Sequence, residues 1–215
     1  MKNIVIAIDG PAASGKSTVA RALAQRVGYV YVNSGAMYRA VTWYLLSHEI
    51  DPLEPATVVA QLRSMDFQAA LEEDTSSITI DGIDPTPFLC EDAVNRSVSA
   101  VSSIPEVRRV LVEKQRSYSV DSNVVMEGRD IGSVVFPDTP YKFYIDASLE
   151  VRARRRTAQG QSDEISARDR FDSSRRSSPL VIAEDAHVID SSNLTIDGVV
   201  GEIIGRLKLK GMPVS

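Results

Sequence analysis

The 215-residue chain has a single cysteine, Cys90, which excludes an internal disulfide framework and fits a reducing compartment. The plain reading of that thiol is a small apolar residue in a packed segment. No apolar run approaches the roughly 18 residues that a membrane span needs. The opening stretch Met1–Asp9 is too short and wrongly flanked for a signal peptide, so the expected location is the cytoplasm. An excess of positive charge is also missing. The formal net charge of -5 argues against a nucleic-acid surface as the main business of the protein. The two histidines, His48 and His187, share no constellation with other ligand-type residues. What is present is ordinary globular usage, 43% hydrophobic and 25% charged, enough for one packed core with appended segments. Nothing in these totals demands more than a monomer.

Hydrophobic periodicity divides the chain into alternating strands and helices. Ile4–Ile8 is apolar on both faces and rich in β-branched residues, as in a central parallel strand. Helical spacing follows from Lys16, with Val19, Leu23 and Val27 on one stripe and Gly28 as its stop. Tyr29–Val32 predicts a second strand. Ser34 is the expected cap of a helix bearing Tyr38, Val41, Leu45 and Leu46. From about 51 to 103 the pattern changes. Pro52, Pro55, Pro85 and Pro87 punctuate it, and two short strands, Phe67–Leu71 and Ser77–Asp81, flank an acidic turn, as in an insertion. A helix over Ile104–Tyr118 opens with Pro105. Strands follow at Asn123–Glu127, Lys142–Asp146 and Val188–Asp190. Leu149–Arg176 is charged and helical with a break at Gly160, and Thr195–Lys208 is a closing amphipathic helix. The alternation predicts an α/β fold, a parallel sheet flanked by helices. Ligands in such folds bind beyond the carboxyl ends of the strands, where Asp9, Glu127 and Asp146 fall.

One of those strand ends carries a phosphate loop. Gly10-Pro11-Ala12-Ala13-Ser14-Gly15-Lys16-Ser17, with Thr18 following, fits G-x-x-x-x-G-K-[ST] at every fixed position. The glycines permit a backbone that turns several N–H groups toward one centre, and the helix start adds its positive dipole end. Lys16 would reach the β- and γ-phosphates of ATP, and the Ser17 hydroxyl would reach Mg²⁺. A ligand-free glycine turn is the alternative, but an apolar strand before the motif and an amphipathic helix after it favour the nucleotide.

A phosphate loop alone does not name a reaction. A switch GTPase would need a guanine-reading N-K-x-D segment, and none is present. A small-molecule kinase needs a basic pocket for its acceptor and a mobile basic cover. Arg39, Arg108, Arg109 and Arg129 are pocket candidates. Arg152, Arg154, Arg155, Arg156, Arg168, Arg170, Arg175 and Arg176 are cover candidates, against the alternative of a solvated charged helix. Helical spacing puts Arg168, Asp172 and Arg175 on one face, two arginines flanking a carboxylate.

Four segments then occur in order with the phosphate loop: Ser34-Gly-Ala-Met-Tyr-Arg39, Gly128-Arg-Asp-Ile-Gly-Ser-Val-Val-Phe-Pro137, Arg168-Asp-x-x-Asp172-x-x-Arg175 and Ser178-Pro-Leu180. The set resembles the bacterial cytidylate kinases over nearly the whole chain. The resemblance implies a nucleoside monophosphate kinase fold in one domain, 1–215, with a monophosphate-binding part at about 34–105 that includes the insertion, and a lid at about 152–178. It implies transfer of the γ-phosphate of ATP to CMP or dCMP. Arg39, Arg129 and Arg168 resemble the arginines that hold the acceptor phosphate. Ser34, Arg108, Asp130 and Arg175 resemble the base-side group, and Ser99 and Asp172 the sugar-side group. Arg155 and Arg156 resemble lid arginines, and the expected catalytic set is Lys16, Arg129, Arg155 and Arg168. Two positions depart from the family's common pattern: Asn33 and Glu127 stand where aspartate is frequent. Glu127, with Ser17, is the expected Mg²⁺ partner. Another phosphate-loop kinase, for UMP, AMP or a shikimate-like acceptor, is the alternative, and a regulatory nucleotide binder is a more distant one.

Overall fold

The computed structural model describes residues 3–72, 75–158, 160, 165–175 and 178–212. Seven strands form one sheet in the order β3-β4-β2-β5-β1-β6-β7. The strands are β1 Val5–Asp9, β2 Val30–Asn33, β3 Phe67–Glu72, β4 Thr75–Ile80, β5 Val124–Gly128, β6 Tyr141–Asp146 and β7 His187–Asp190. Every pairing from β2 to β7 is parallel, as the alternation predicts. The register aligns Asn33 with Glu127 and Asp9 with Gly128, so three chain segments end together at one sheet edge.

The two sheet faces are covered by different helices, and the side-chain period of two sorts β1 between them. Ile6 and Ile8 pack with α1 (Lys16–Val27) and α8 (Ile196–Leu209). Val5 and Ala7 pack with α2 (Ser34–Ser47), α4 (Asp92–Val101) and α5 (Pro105–Asp121). Helix α1 stops at Gly28, whose positive φ of 67° lets the chain reverse.

The structure corrects several expectations. Ser34 does not cap α2. Asn33 does, its side-chain oxygen accepting a hydrogen bond from Ala36 N at 3.1 Å. A neutral amide serves this purpose, so asparagine is sufficient here. Cys90 is exposed rather than packed. The insertion joins the main sheet. β3 and β4 form an antiparallel hairpin with Phe67 opposite Ile80, and β4 lies beside β2. The insertion also contains α3 (Pro55–Ser64) and α4, which sequence periodicity did not announce. The charged region of 149–176 is helical with its break around Gly160, as expected, giving α6 (Leu149–Ala158) and α7 (Ile165–Ser174). Arg176, residues 159, 161–164 and 177 of the expected lid, and Glu73 and Asp74 of the acidic turn lie outside the described residues.

Gly10 shows how tightly β1 hands over to the loop. A Cβ built there would lie 2.1 Å from the Ile145 carbonyl oxygen at the end of β6. We expect Gly10→Ala to force the two strand ends apart and to destabilise by on the order of 1–3 kcal/mol, read as a lowered denaturation midpoint.

Candidate active site

A cavity of about 430 Å³ opens at the carboxyl edge of the sheet, lined by the phosphate loop, the starts of α2 and α5, the segment after β5, and α6 and α7. The loop residues Ala12, Ala13, Ser14, Gly15, Lys16, Ser17 and Thr18 all face it. Gly15 has φ +88°, which a side chain would oppose. Gly10 and Pro11 do not line the cavity. They serve it through their carbonyls, Gly10 O accepting from Arg129 Nη1 at 3.0 Å and Pro11 O accepting from Lys16 Nζ at 3.0 Å. Ser17 and Thr18 are exposed within the opening.

Beyond the loop, cations crowd together. Burial, followed by the repulsion of Arg129, lowers the Lys16 pKa to about 7. Burial and the neighbouring Arg39 and Arg129 lower Arg168 to about 9. Arg39 is lowered by burial and then by Arg129 and Arg156. These groups are positioned to repel one another, which is electrostatically costly without an anion and favourable with one. Arg129 is held between two anchors, Gly10 O and Asp172 Oδ2, the latter at 3.0 Å. Asp172 also accepts from Arg175, so this carboxylate bridges Arg129 and Arg175, where helical spacing sets it between Arg168 and Arg175.

The opposite end of the cavity is built around Asp130. Its carboxylate is paired with Arg108, and both side chains are buried. Burial raises the Asp130 pKa, against the pull of Arg108 and Arg175. Arg108 Nη1 also donates to Ser102 O at 3.2 Å, and the guanidinium lies 5.3 Å over the Tyr38 ring. Ser34 Oγ donates to Glu127 O at 2.7 Å, and Ser99 lines the wall nearby. Ser34 also explains Gly128. A Cβ on that residue would lie 2.5 Å from the Ser34 hydroxyl oxygen.

The arginine run divides by face. Arg154 and Arg170 are exposed. Arg156 is buried in the cation cluster. Arg155 reaches the flank of the phosphate loop, Nη1 donating to Ser14 O at 3.1 Å and Nη2 to Ser191 O at 2.9 Å. Arg152 pairs with Asp169 and donates to Ala12 O at 3.2 Å, while Asp169 Oδ1 accepts from Ala12 N at 3.1 Å. Arg109, expected in the pocket, instead sits on the outer surface of α5 in an exposed pair with Glu113, because α5 turns Arg108 inward.

Sequence reasoning missed three contributors. Asp169 lies one residue after Arg168, and its loop contact depends on how α7 docks. Tyr38 read as an apolar position, although it also supports Arg108. Leu194, Thr195 and Ile196 line part of the cavity wall with no sequence signal beyond ordinary helix-start chemistry.

The sequence profile of the cytidylate kinase family matches residues 6–209. The chain belongs to the cytidylate kinase family. The cytidylate kinase of Caldanaerobacter subterraneus subsp. tengcongensis is 43% identical over 216 residues, covering 95% of both chains. Those of Clostridium botulinum (strain Loch Maree) and Streptomyces avermitilis are 41% and 38% identical, over 97% and 96% of this chain and 99% and 94% of theirs. Membership of the cytidylate kinase family makes the chain a kinase, with ATP as the phosphoryl donor that the family implies. Among the described residues no helix is long and apolar enough to cross a membrane.

Proposed function

We propose that the chain transfers the γ-phosphate of ATP to CMP or dCMP, giving ADP and CDP or dCDP. The observation that carries this reading is one cavity with a cation cluster between two differently built ends. A phosphate loop lies at one end and the buried Arg108–Asp130 pair at the other. Lys16 and the loop amides take the donor's phosphates. Arg39, Arg129 and Arg168 take the acceptor's phosphate and neutralise charge as it shifts between the two. The acceptor oxygen is already anionic near neutral pH, so the site needs cations rather than a general base. Arg155 and Arg156 close over the donor side, within a lid of about 152–178. The insertion, within a monophosphate-binding part of about 34–105, carries Ser99 to the acceptor side.

At the base end, cytosine offers an amino donor and ring acceptors. A carboxylate on Asp130 suits the amine, and Arg108 suits the acceptors. Uracil would set a carbonyl against the carboxylate. Ser34 and Arg175 complete this end, with Ser99 and Asp172 toward the sugar.

The donor set fits Mg²⁺. Among the described residues no group of three or more His, Cys, Asp or Glu side chains converges as a metal cage. That matches an ion held mainly by phosphates and water with few protein ligands. The Ser17 hydroxyl and the Glu127 carboxylate, which accepts from Tyr31 OH at 3.2 Å, line the same cavity and are the groups that would hold it. Bound there, Mg²⁺ would offset phosphate charge. The same reading is of a monomeric cytoplasmic enzyme whose partners are the small nucleotides ATP, CMP and dCMP rather than nucleic acid.

The test is ADP release from Mg·ATP with CMP, dCMP, UMP, AMP, GMP or shikimate as acceptor. Turnover highest with CMP or dCMP is expected. Turnover with shikimate or AMP alone would replace the reading. The lowered Lys16 pKa adds a second expectation. Burial and the neighbouring arginines disfavour the charged form of the lysine in the nucleotide-free protein. A triphosphate beside it favours the charged form, so ATP binding takes up a proton. Calorimetry in buffers of different ionisation enthalpy should show net proton uptake on ATP binding, smaller in Lys16→Met.

A further inference from the structure

Asp9 lies immediately before the phosphate loop, yet it does not line the cavity and it bonds none of the loop's amides. It is buried, and its two carboxylate oxygens accept separate hydrogen bonds: Oδ1 from Ile131 N at 2.8 Å and Oδ2 from Gly132 N at 2.7 Å. These amides directly follow Arg129 and Asp130. The next residue, Gly10, accepts from Arg129 Nη1 at 3.0 Å through its carbonyl. Two consecutive residues at the start of the donor loop therefore hold three residues of the acceptor turn, Arg129, Ile131 and Gly132, by three hydrogen bonds.

The turn is shaped for this contact. After Asp130 the chain makes a single wide turn, Ile131–Val135, in which Val135 N donates to Asp130 O at 3.1 Å and Phe136 N to Ile131 O at 2.7 Å. The first amides of such a turn have no partner within it. Asp9 supplies partners for two. Gly132 lets the carboxylate approach, since a Cβ there would lie 3.3 Å from Asp9 Oδ2 and 3.2 Å from the Lys142 side chain. Aspartate is the residue type that accepts two adjacent N–H groups with two oxygens. Asparagine, the same size, offers one acceptor and turns an N–H against an N–H.

We propose that Asp9 is a positioning residue that fixes the distance and angle between the donor loop and the acceptor turn. It acts through the Ile131 and Gly132 amides on Arg129 and Asp130, without touching either nucleotide. The proposal rests on the transfer reading above. Each nucleotide's own contacts lie on one side of the Asp9 link, so loosening it leaves each binding separately while misaligning the pair. Transfer between two bound groups is sensitive to such displacement, and an error of about 1 Å can cost on the order of 100-fold in rate.

The experiment compares wild type, Asp9→Asn and Gly132→Ala. The second variant keeps the carboxylate and crowds the amide it receives. Dissociation constants for ATP alone and for the monophosphate alone come from calorimetry, and kcat from ADP release. The monophosphate is whichever one the acceptor panel selects, so a wrong acceptor assignment shows in the wild type and leaves this comparison intact. Both variants are expected to bind each nucleotide within about threefold of wild type and to lose about 10- to 100-fold in kcat. The proposal is overturned if a folded variant keeps kcat within threefold of wild type. It is equally overturned if the whole loss lies in affinity for one nucleotide, or if neither variant folds, since Asp9 would then serve one loop or the fold alone.

Discussion

Lys16→Met is expected to lower turnover by on the order of 10²–10³ while leaving the nucleotide-free protein at least as stable as wild type. The two halves of this expectation have the same cause. The Lys16 ammonium is buried, donates to Pro11 O at 3.0 Å, and stands among Arg129, Arg168 and Arg39. Without a triphosphate that charge is a burden, which is why its pKa falls from 10.5 to about 7. The unfolded chain keeps a proton on lysine up to pH 10.5 and the folded chain only up to about 7. The burden therefore grows as pH falls from the first value toward the second. Methionine removes it and retains most of the side-chain stem. The stability of Lys16→Met relative to wild type, followed by urea titration, should rise between pH 10 and pH 7. Loss of turnover cannot then be blamed on unfolding. A folded Lys16→Met enzyme with full ADP release would remove the loop lysine from the mechanism.

Some of this was legible in the sequence because it is local. The phosphate loop is a run of backbone conformations, and Gly10 and Gly15 mark the places where side chains do not fit. The strands β1 and β5 are buried on both faces, so Val5–Ile8 and Val124–Met126 read as unbroken apolar runs. Helix α8 shows a clear stripe because one face, Val199, Val200, Ile203 and Leu207, packs on the sheet. Helix α3 buries Val58 and leaves most of its surface in solvent, which gives little periodicity to detect. Helix α4 does have a spaced set, Val94, Val98 and Val101, but it is short and lies in proline-punctuated sequence.

The site was legible as a set of residue types and not as an arrangement. Helical spacing placed Arg168, Asp172 and Arg175 on one face. It could not say that Asp172 would reach across to Arg129, 43 residues earlier. Nor could it separate Arg155, bonded to Ser14 and Ser191, from Arg156, buried among the other cations. Arg108 and Arg109 are adjacent in sequence, and only the docking of α5 decides which is buried with Asp130 and which pairs with Glu113 at the surface. Asp9 reads as one more acid at a strand end until the turn after β5 is folded against it.

Asp130→Ala is expected both to destabilise the protein and to weaken its preference for cytosine. The Arg108 and Asp130 side chains are 4% and 6% exposed, so truncating the acid leaves a guanidinium buried without its counter-charge. Breaking such a pair costs about 3–5 kcal/mol. In a chain of this size that lowers the melting temperature by roughly 10 °C. Stability alone would say nothing of specificity, so Asp130→Asn is the informative companion. Its amide oxygen can still face Arg108, and its amide N–H can donate to the carbonyl that uracil carries in place of the cytosine amine. With asparagine the ratio of kcat/KM for CMP over UMP should fall by at least about tenfold, mainly through improved use of UMP. With alanine the ratio should fall through loss of CMP. If both variants keep the wild-type ratio, Asp130 only orients Arg108, and the base is read elsewhere.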